Sequence, residues 1–94
     1  MSGPEKAFGQ ALREIRKEKG ISQEALGLES GFDRTYVSLI ERGLRSPTVR
    51  VVVRLAEVLG VKASEIVRRM EELSNSEISG RFQPPRIVQR GSKG

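Results

Sequence analysis

SQEALGLESGFDRTYVSLIERG, residues 22–43, reads as two short helices joined by a tight turn. Ser22 is an N-cap whose hydroxyl can accept from a free first-turn amide, and Glu24 places a carboxylate near the positive end of the helix dipole. That helix ends at Gly31, a residue free to take the positive φ with which a chain reverses after Ser30. Asp33 caps a second helix over 33–42, and Gly43 closes it. Phe32 and Val37 stand at the N′ and N4 positions of that cap, the spacing of a hydrophobic staple that fixes how the chain enters the helix.

The second helix is uneven. Tyr36, Val37 and Ile40 fall on one side, while Arg34, Thr35, Ser38, Leu39 and Arg42 fall toward the other. One side packs and the other is free to touch something. A second helix that offers short polar and guanidinium groups after a Gly-containing turn fits the major groove of duplex DNA, although an αα-hairpin of any small helical protein has the same outline.

With LREIRKEKG before it and RSPTVRVVVRLAEVLGV after it, the stretch resembles the Cro and phage-repressor class of helix-turn-helix proteins, the xenobiotic-response-element family, over residues 6 to 73. DRTYVSLIERG is similar to the recognition helix of restriction–modification controller proteins in particular. The resemblance implies a sequence-specific DNA-binding regulator of transcription, a repressor or an activator, with no enzymatic activity.

Composition points the same way. Ninety-four residues allow one domain, close to the size at which a helical core suffices without staples. The sequence holds no Cys and no His, which removes disulfides, the usual zinc ligands and the commonest catalytic base, so no metal or cofactor is expected. No apolar run approaches the roughly 20 residues that span a bilayer, and MSGPEKAF lacks a signal-peptide core, so a cytoplasmic protein with no membrane role is expected. Four aromatic residues, with only Tyr36 on a working surface, make double-stranded DNA a better partner than a single strand stacked on rings. The net charge of +5 suits a polyanion. Residues 75–94 carry four cations against Glu77, a net of +3, which leaves +2 for residues 1–74. The helical body is thus only mildly basic, and its footprint must come from local clustering.

Outward from the motif, Phe8, Ala11, Leu12 and Ile15 recur at helical spacing and predict a helix from about 5 to 19, ended by Gly20. Ser46 with Pro47 at the first helical position predicts a fourth helix whose core stripe is Val49, Val52, Leu55, Ala56 and Leu59, ended by Gly60. A fifth runs from about 63 to 73. With no strand pattern, the expected architecture is all-α: a five-helix orthogonal bundle of the lambda-repressor-like DNA-binding type over 1–74, with a basic C-terminal extension over 75–94.

Helix position and resemblance together assign roles. Arg34 is the candidate for a bidentate guanine contact; Thr35 and Ser38 can read a base edge, or Thr35 can meet a thymine methyl; Leu39, where the family commonly has a polar residue, offers only apolar contact. Gln23 resembles the family's phosphate-positioning glutamine at a helix N-terminus, and Tyr36, Arg42, Arg45 and Arg50 are further backbone candidates. The resemblance implies an ion pair between Arg16 and Glu41 that ties the first helix to the end of the reading helix. Two residues depart from the family pattern: Gly27, where alanine is usual, and Lys62, where a serine or aspartate usually caps the fifth helix.

Val51, Val53 and Val58 fall outside the core stripe, and Val67 and Met70 add to that surface. A self-complementary patch forming a twofold homodimer explains them, and the same twofold sets two reading helices about 34 Å apart over the half-sites of a palindromic operator. The extension is rich in Ser, Gly, Pro and basic residues. It is either a flexible tail, a DNA-contacting arm, or a segment anchored by Phe82, Ile87 and Val88 on the partner subunit or along the groove between the fourth and fifth helices, where it would cover the valine patch in cis. The second function class is an antitoxin-like or adaptor protein that binds a protein partner as well as its operator.

Overall fold

The computed structural model describes residues 3–78 as five helices with no strand among the described residues: α1 (Pro4–Glu18), α2 (Gln23–Ser30), α3 (Arg34–Glu41), α4 (Val49–Leu59) and α5 (Ala63–Ile78). Each contributes to one core. Leu12 and Ile15 of α1, Leu26 of α2, Val37 and Ile40 of α3, Leu55 of α4 and Ile66 of α5 are shielded almost completely from solvent. Burial of such a side chain favours folding by about 1.5–3 kcal/mol, so the core, rather than helix propensity, holds these short helices. α1 lies against α3 and α5, α2 against α3 and α4, and α4 against α5. The fold class follows the expectation; the extension beyond residue 78, with Phe82, Ile87 and Val88, lies outside the described residues.

The motif boundaries are set by short polar side chains. Ser22 Oγ accepts from the Ala25 amide at 3.0 Å and Asp33 Oδ2 accepts from the Thr35 amide at 3.2 Å, so both motif helices start at their expected caps. Gly31 ends α2 in the left-handed conformation, φ 83°. Gly27 is buried inside α2, and a Cβ there would come within 2.9 Å of the Phe32 carbonyl oxygen. The missing methyl of alanine therefore lets the turn fold tightly over α2.

Two boundaries differ from the sequence expectation. The N-cap of α4 is Thr48, whose Oγ1 accepts from the Val51 amide at 3.2 Å; Ser46 and Pro47 stay in the loop. The helical conformation is disfavoured for a residue that precedes proline, which keeps Ser46 out of the helix. Val49, placed in the core stripe by its spacing, is 80% exposed on the first turn, and the stripe is Val52, Leu55, Ala56 and Leu59. α5 continues to Ile78 instead of stopping near 73. Extending a docked helix through Ser74, Asn75 and Ser76 costs only tenths of a kcal/mol per residue, so a shift in composition does not stop it.

Two arginines tie the scaffold together. Arg54 of α4 donates from Nε to the Ser30 carbonyl at 3.4 Å and from Nη2 to the Glu29 carbonyl at 3.3 Å, supplying partners to the carbonyl end of α2. Arg69 of α5 reaches Glu18 of α1 at 2.6 Å, with Glu14 at 3.5 Å. The Arg69 guanidinium holds the Glu18 carboxyl below its usual range, and Arg68 does the same to Glu65.

Candidate nucleic-acid interface

α3 is split lengthwise. Val37 and Ile40 are buried, and Tyr36 is half-buried with its ring edge-on to Phe32, centroids 5.5 Å apart, so the staple region is an aromatic contact as well as an apolar one. Arg34, Thr35 and Arg42 are exposed, and Ser38 and Leu39 are half-exposed between them. Arg34, Ser38 and Arg42 follow one another at i, i+4, i+8, a single strip down the helix.

That strip lines an open hollow of about 690 Å³. Ser22, Gln23 and Glu24 at the N-terminus of α2 form a second wall, and Arg13 and Arg16 of α1 a third. Of the sequence candidates, Arg34, Ser38, Gln23 and Arg42 are thus brought together. Arg45 in the loop after α3 and Arg50 on the first turn of α4 are exposed but do not line the hollow.

At its base sits a buried ion pair. Arg16 Nε donates to Glu41 Oε2 at 2.6 Å and Nη2 donates to Oε1 at 3.0 Å, while Nη1 donates to the Ile21 carbonyl at 3.0 Å. The two side chains are 9% and 2% exposed. A two-pronged fork fixes direction as well as distance, so α1, the turn before α2 and the end of α3 are held at one angle. Gln23 Nε2 donates to the same Glu41 Oε1 at 2.9 Å. An amide nitrogen carries two hydrogens, so this bond orients Gln23 and leaves its second donor for the hollow.

The cations sort by location. Among the described residues, Arg54, Arg68 and Arg69 of α4 and α5 all stand in ion pairs. Arg13, Arg34, Arg42, Arg45 and Arg50 stand in none. Arg13 was not among the sequence candidates. Nothing in its own spacing marks it: three residues before Arg16, it is one of several exposed cations on α1.

The valine surface divides. Val51 and Val58, seven residues apart, are half-buried along one flank of α4 against the core, whereas Val53 is 44% exposed. Val67, 37% exposed, and Met70 line an apolar concavity of about 180 Å³ with Val52, Phe8, Pro4 and Pro47. The structure gathers Val67 and Met70 and does not bring Val51, Val53 and Val58 into that concavity. No helix among the described residues is long and apolar enough to cross a membrane.

Residues 12–66 match the helix-turn-helix family HTH_3. The chain is similar to the HTH-type transcriptional regulator y4dJ of Sinorhizobium fredii, 42% identical over 67 residues that make up 71% of this chain and 87% of that protein. It is similar to the control protein C.BamHI of Bacillus amyloliquefaciens, 39% identical over 61 residues, 64% of this chain and 75% of that protein. The crystal structure of the restriction–modification controller protein C.AhdI from Aeromonas hydrophila superposes with a TM-score of 0.64 at 44% identity, covering 65% of this chain and 92% of that one. The match spans both motif helices, most of the core that holds them and the strip Arg34, Ser38, Arg42, and the chain belongs to the helix-turn-helix family of DNA-binding transcription regulators, related to restriction–modification controllers.

Proposed function

We propose that the protein acts as a homodimer on a palindromic operator in duplex DNA, each protomer laying α3 into the major groove. The observation that carries this is the strip Arg34, Ser38, Arg42, unpaired within the described residues on a helix whose opposite face is locked in the core. Arg34 sits on the first turn, where a recognition helix meets base edges, and its guanidinium matches guanine O6 and N7. Thr35 and Ser38 read neighbouring base edges, and Leu39 supplies an apolar contact such as one to a thymine methyl. Gln23, Tyr36, Arg42, Arg45 and Arg50 hold phosphates and set the register. Arg16 and Glu41 touch no DNA; they fix the angle of the helix that does.

The twofold uses Val53 on α4 together with Val67 and Met70, which line the apolar concavity, with Val51 and Val58 supporting from within α4. Residues 1–74 form the DNA-binding unit, 75–94 an extension to it, and the site of action is the cytoplasm.

Selection from a random duplex pool with the full chain, followed by sequencing, tests the proposal. A palindrome with half-sites about one helical turn apart is expected. An unenriched pool, or a single half-site bound by a monomer, overturns it.

A further inference from the structure

α1 carries a row of groups that the helix-turn-helix does not use. Lys6, Gln10, Arg13 and Lys17 recur at i, i+4, i+7, i+11, which is one stripe along the helix. At 1.5 Å per residue the stripe is about 16 Å long. All four side chains are exposed. They border a second hollow, of about 410 Å³, whose other wall is the end of α3 with Arg42.

The two hollows share Arg13, Glu41 and Arg42, so the stripe is continuous with the reading face. The cause of this continuity is backbone contact. Gly9 lies against the carbonyl oxygens of Ile40 and Glu41 so closely that a Cβ would overlap both, and a Cβ on Gly43 would sit 2.9 Å from the Lys6 Cα. α1 is therefore seated on the end of α3 at two glycines, with its cations beside Arg42. The acids facing this hollow are already engaged. Glu41 is bound by Arg16, and Glu14 accepts from Gln10 at 3.4 Å and lies 3.5 Å from Arg69. Lys6, Arg13, Lys17 and Arg42 have no ion-pair partner among the described residues.

We propose that the α1 stripe, Lys6, Arg13 and Lys17, is a second phosphate-binding surface that grips the DNA backbone along one wall of the groove entered by α3. It rests on the placement of α3 proposed above. The row follows a line of phosphates rather than a compact anion, because its cations are spread along about three turns of helix and open to solvent. A strand of duplex DNA presents a phosphate every ~3.4 Å of axis, so the stripe can meet several at once. Because it touches no base edge, it strengthens every sequence alike and enlarges the footprint beyond the bases that α3 reads.

The test uses the full chain, a labelled duplex of random sequence, and the duplex recovered by selection. Binding is measured by anisotropy from about 50 to 200 mM salt for the wild type and for a Lys6→Gln, Arg13→Gln, Lys17→Gln triple variant. Each lost phosphate contact lowers the slope of log affinity against log salt by ~0.9. The triple variant is therefore expected to lose about 2.7 units of slope, so that across this salt range the wild type loses about 40-fold more affinity than the variant does. The loss should be equal on both duplexes, with the selected site still preferred.

Lys62→Gln, an exposed cation in the loop before α5, controls for net charge. An unchanged slope in the triple variant overturns the proposal, and so does a slope lost equally per charge in Lys62→Gln. Arg34→Ala separates this from the reading beneath it. If that variant loses site preference while the stripe variant keeps its slope, only the stripe is wrong. If no site preference exists to be lost, the placement of α3 fails first.

Discussion

Replacing Arg16 by methionine keeps an unbranched apolar stem and removes every polar contact the side chain makes. Glu41, 2% exposed, would then keep only the Gln23 amide at 2.9 Å. Removing one partner of a buried pair leaves a charge in a poor medium, which costs about 3–5 kcal/mol, against about 0–1 kcal/mol for a pair on the surface. A domain of this size has only ~0.05–0.15 kcal/mol of stability per residue, so the loss is a large part of the total. Urea unfolding at neutral pH should show it as a lower midpoint, and heating as a melting temperature reduced by upwards of ~12 °C. The double variant Arg16→Met, Glu41→Leu removes both charges and should recover to within about 2 kcal/mol of the wild type, because an apolar pair fills the same space without desolvated charge. Its DNA affinity should stay low, since the fork that fixes α3 is gone and Gln23 has lost its orienting acceptor. A single-variant loss below ~1 kcal/mol would refute the buried-pair reasoning. A stable double variant that binds DNA like the wild type would refute the bracing role.

Arg34→Ala should weaken binding to the selected site by about 1–3 kcal/mol and relax preference at one base pair, read by competition with single-substitution duplexes; equal losses on scrambled DNA overturn the base-reading role. Gly9→Ala should destabilise the fold by about 1–3 kcal/mol despite alanine's better helix propensity, because the new methyl meets two carbonyl oxygens of the α3 backbone; a gain in stability in urea would show that α1 can lift away freely. Glu18 and Glu65 are held below the usual carboxylate value of 4.5, chiefly by Arg69 and Arg68 respectively. A depressed folded pKa stabilises the fold above 4.5 and ceases to as pH falls through the lowered value, so stability should drop across that acid window. Arg69→Ala should flatten the drop while lowering stability at neutral pH, and an unchanged acid profile would count against the α1–α5 clamp.

Much of this was legible because it is local. Ser22 and Asp33 cap their helices through side chains two or three residues from the amides they serve, and such spacings are written directly in the sequence. The core stripe of α1 is equally local, since Phe8, Ala11, Leu12 and Ile15 need only the period of a helix to share a face. The start of α4 was misread because Ser46-Pro47 and Thr48 both look like helix openings. What separates them is the loop path from Gly43, which local pattern does not contain. Val49 and the end of α5 were misplaced for related reasons: one is decided by where the first turn points, the other by a helix continuing once docked.

The stripe on α1 was hidden for a deeper reason. Its residues are ordinary exposed cations, and nothing in their own spacing separates a DNA-facing row from a solvated one. What gives the row a neighbour is the absence of side chains at Gly9 and Gly43, which lets two backbones meet and sets Arg13 beside Arg42. A glycine inside a helix is ordinarily a weakness of about 1 kcal/mol, yet here it fixes which face of α1 lies alongside the reading helix. The ion pair then adds what close approach alone cannot: glycine contact sets the distance between α1 and α3, and the Arg16 fork on Glu41 sets their angle. Distance without angle would leave the strip on α3 free to swing, and angle without distance would part Arg13 from Arg42. On the proposed placement Arg34 and Arg13 address different parts of the duplex, so their substitutions should combine additively on cognate DNA, whereas Gly9→Ala should weaken both contributions through one displacement.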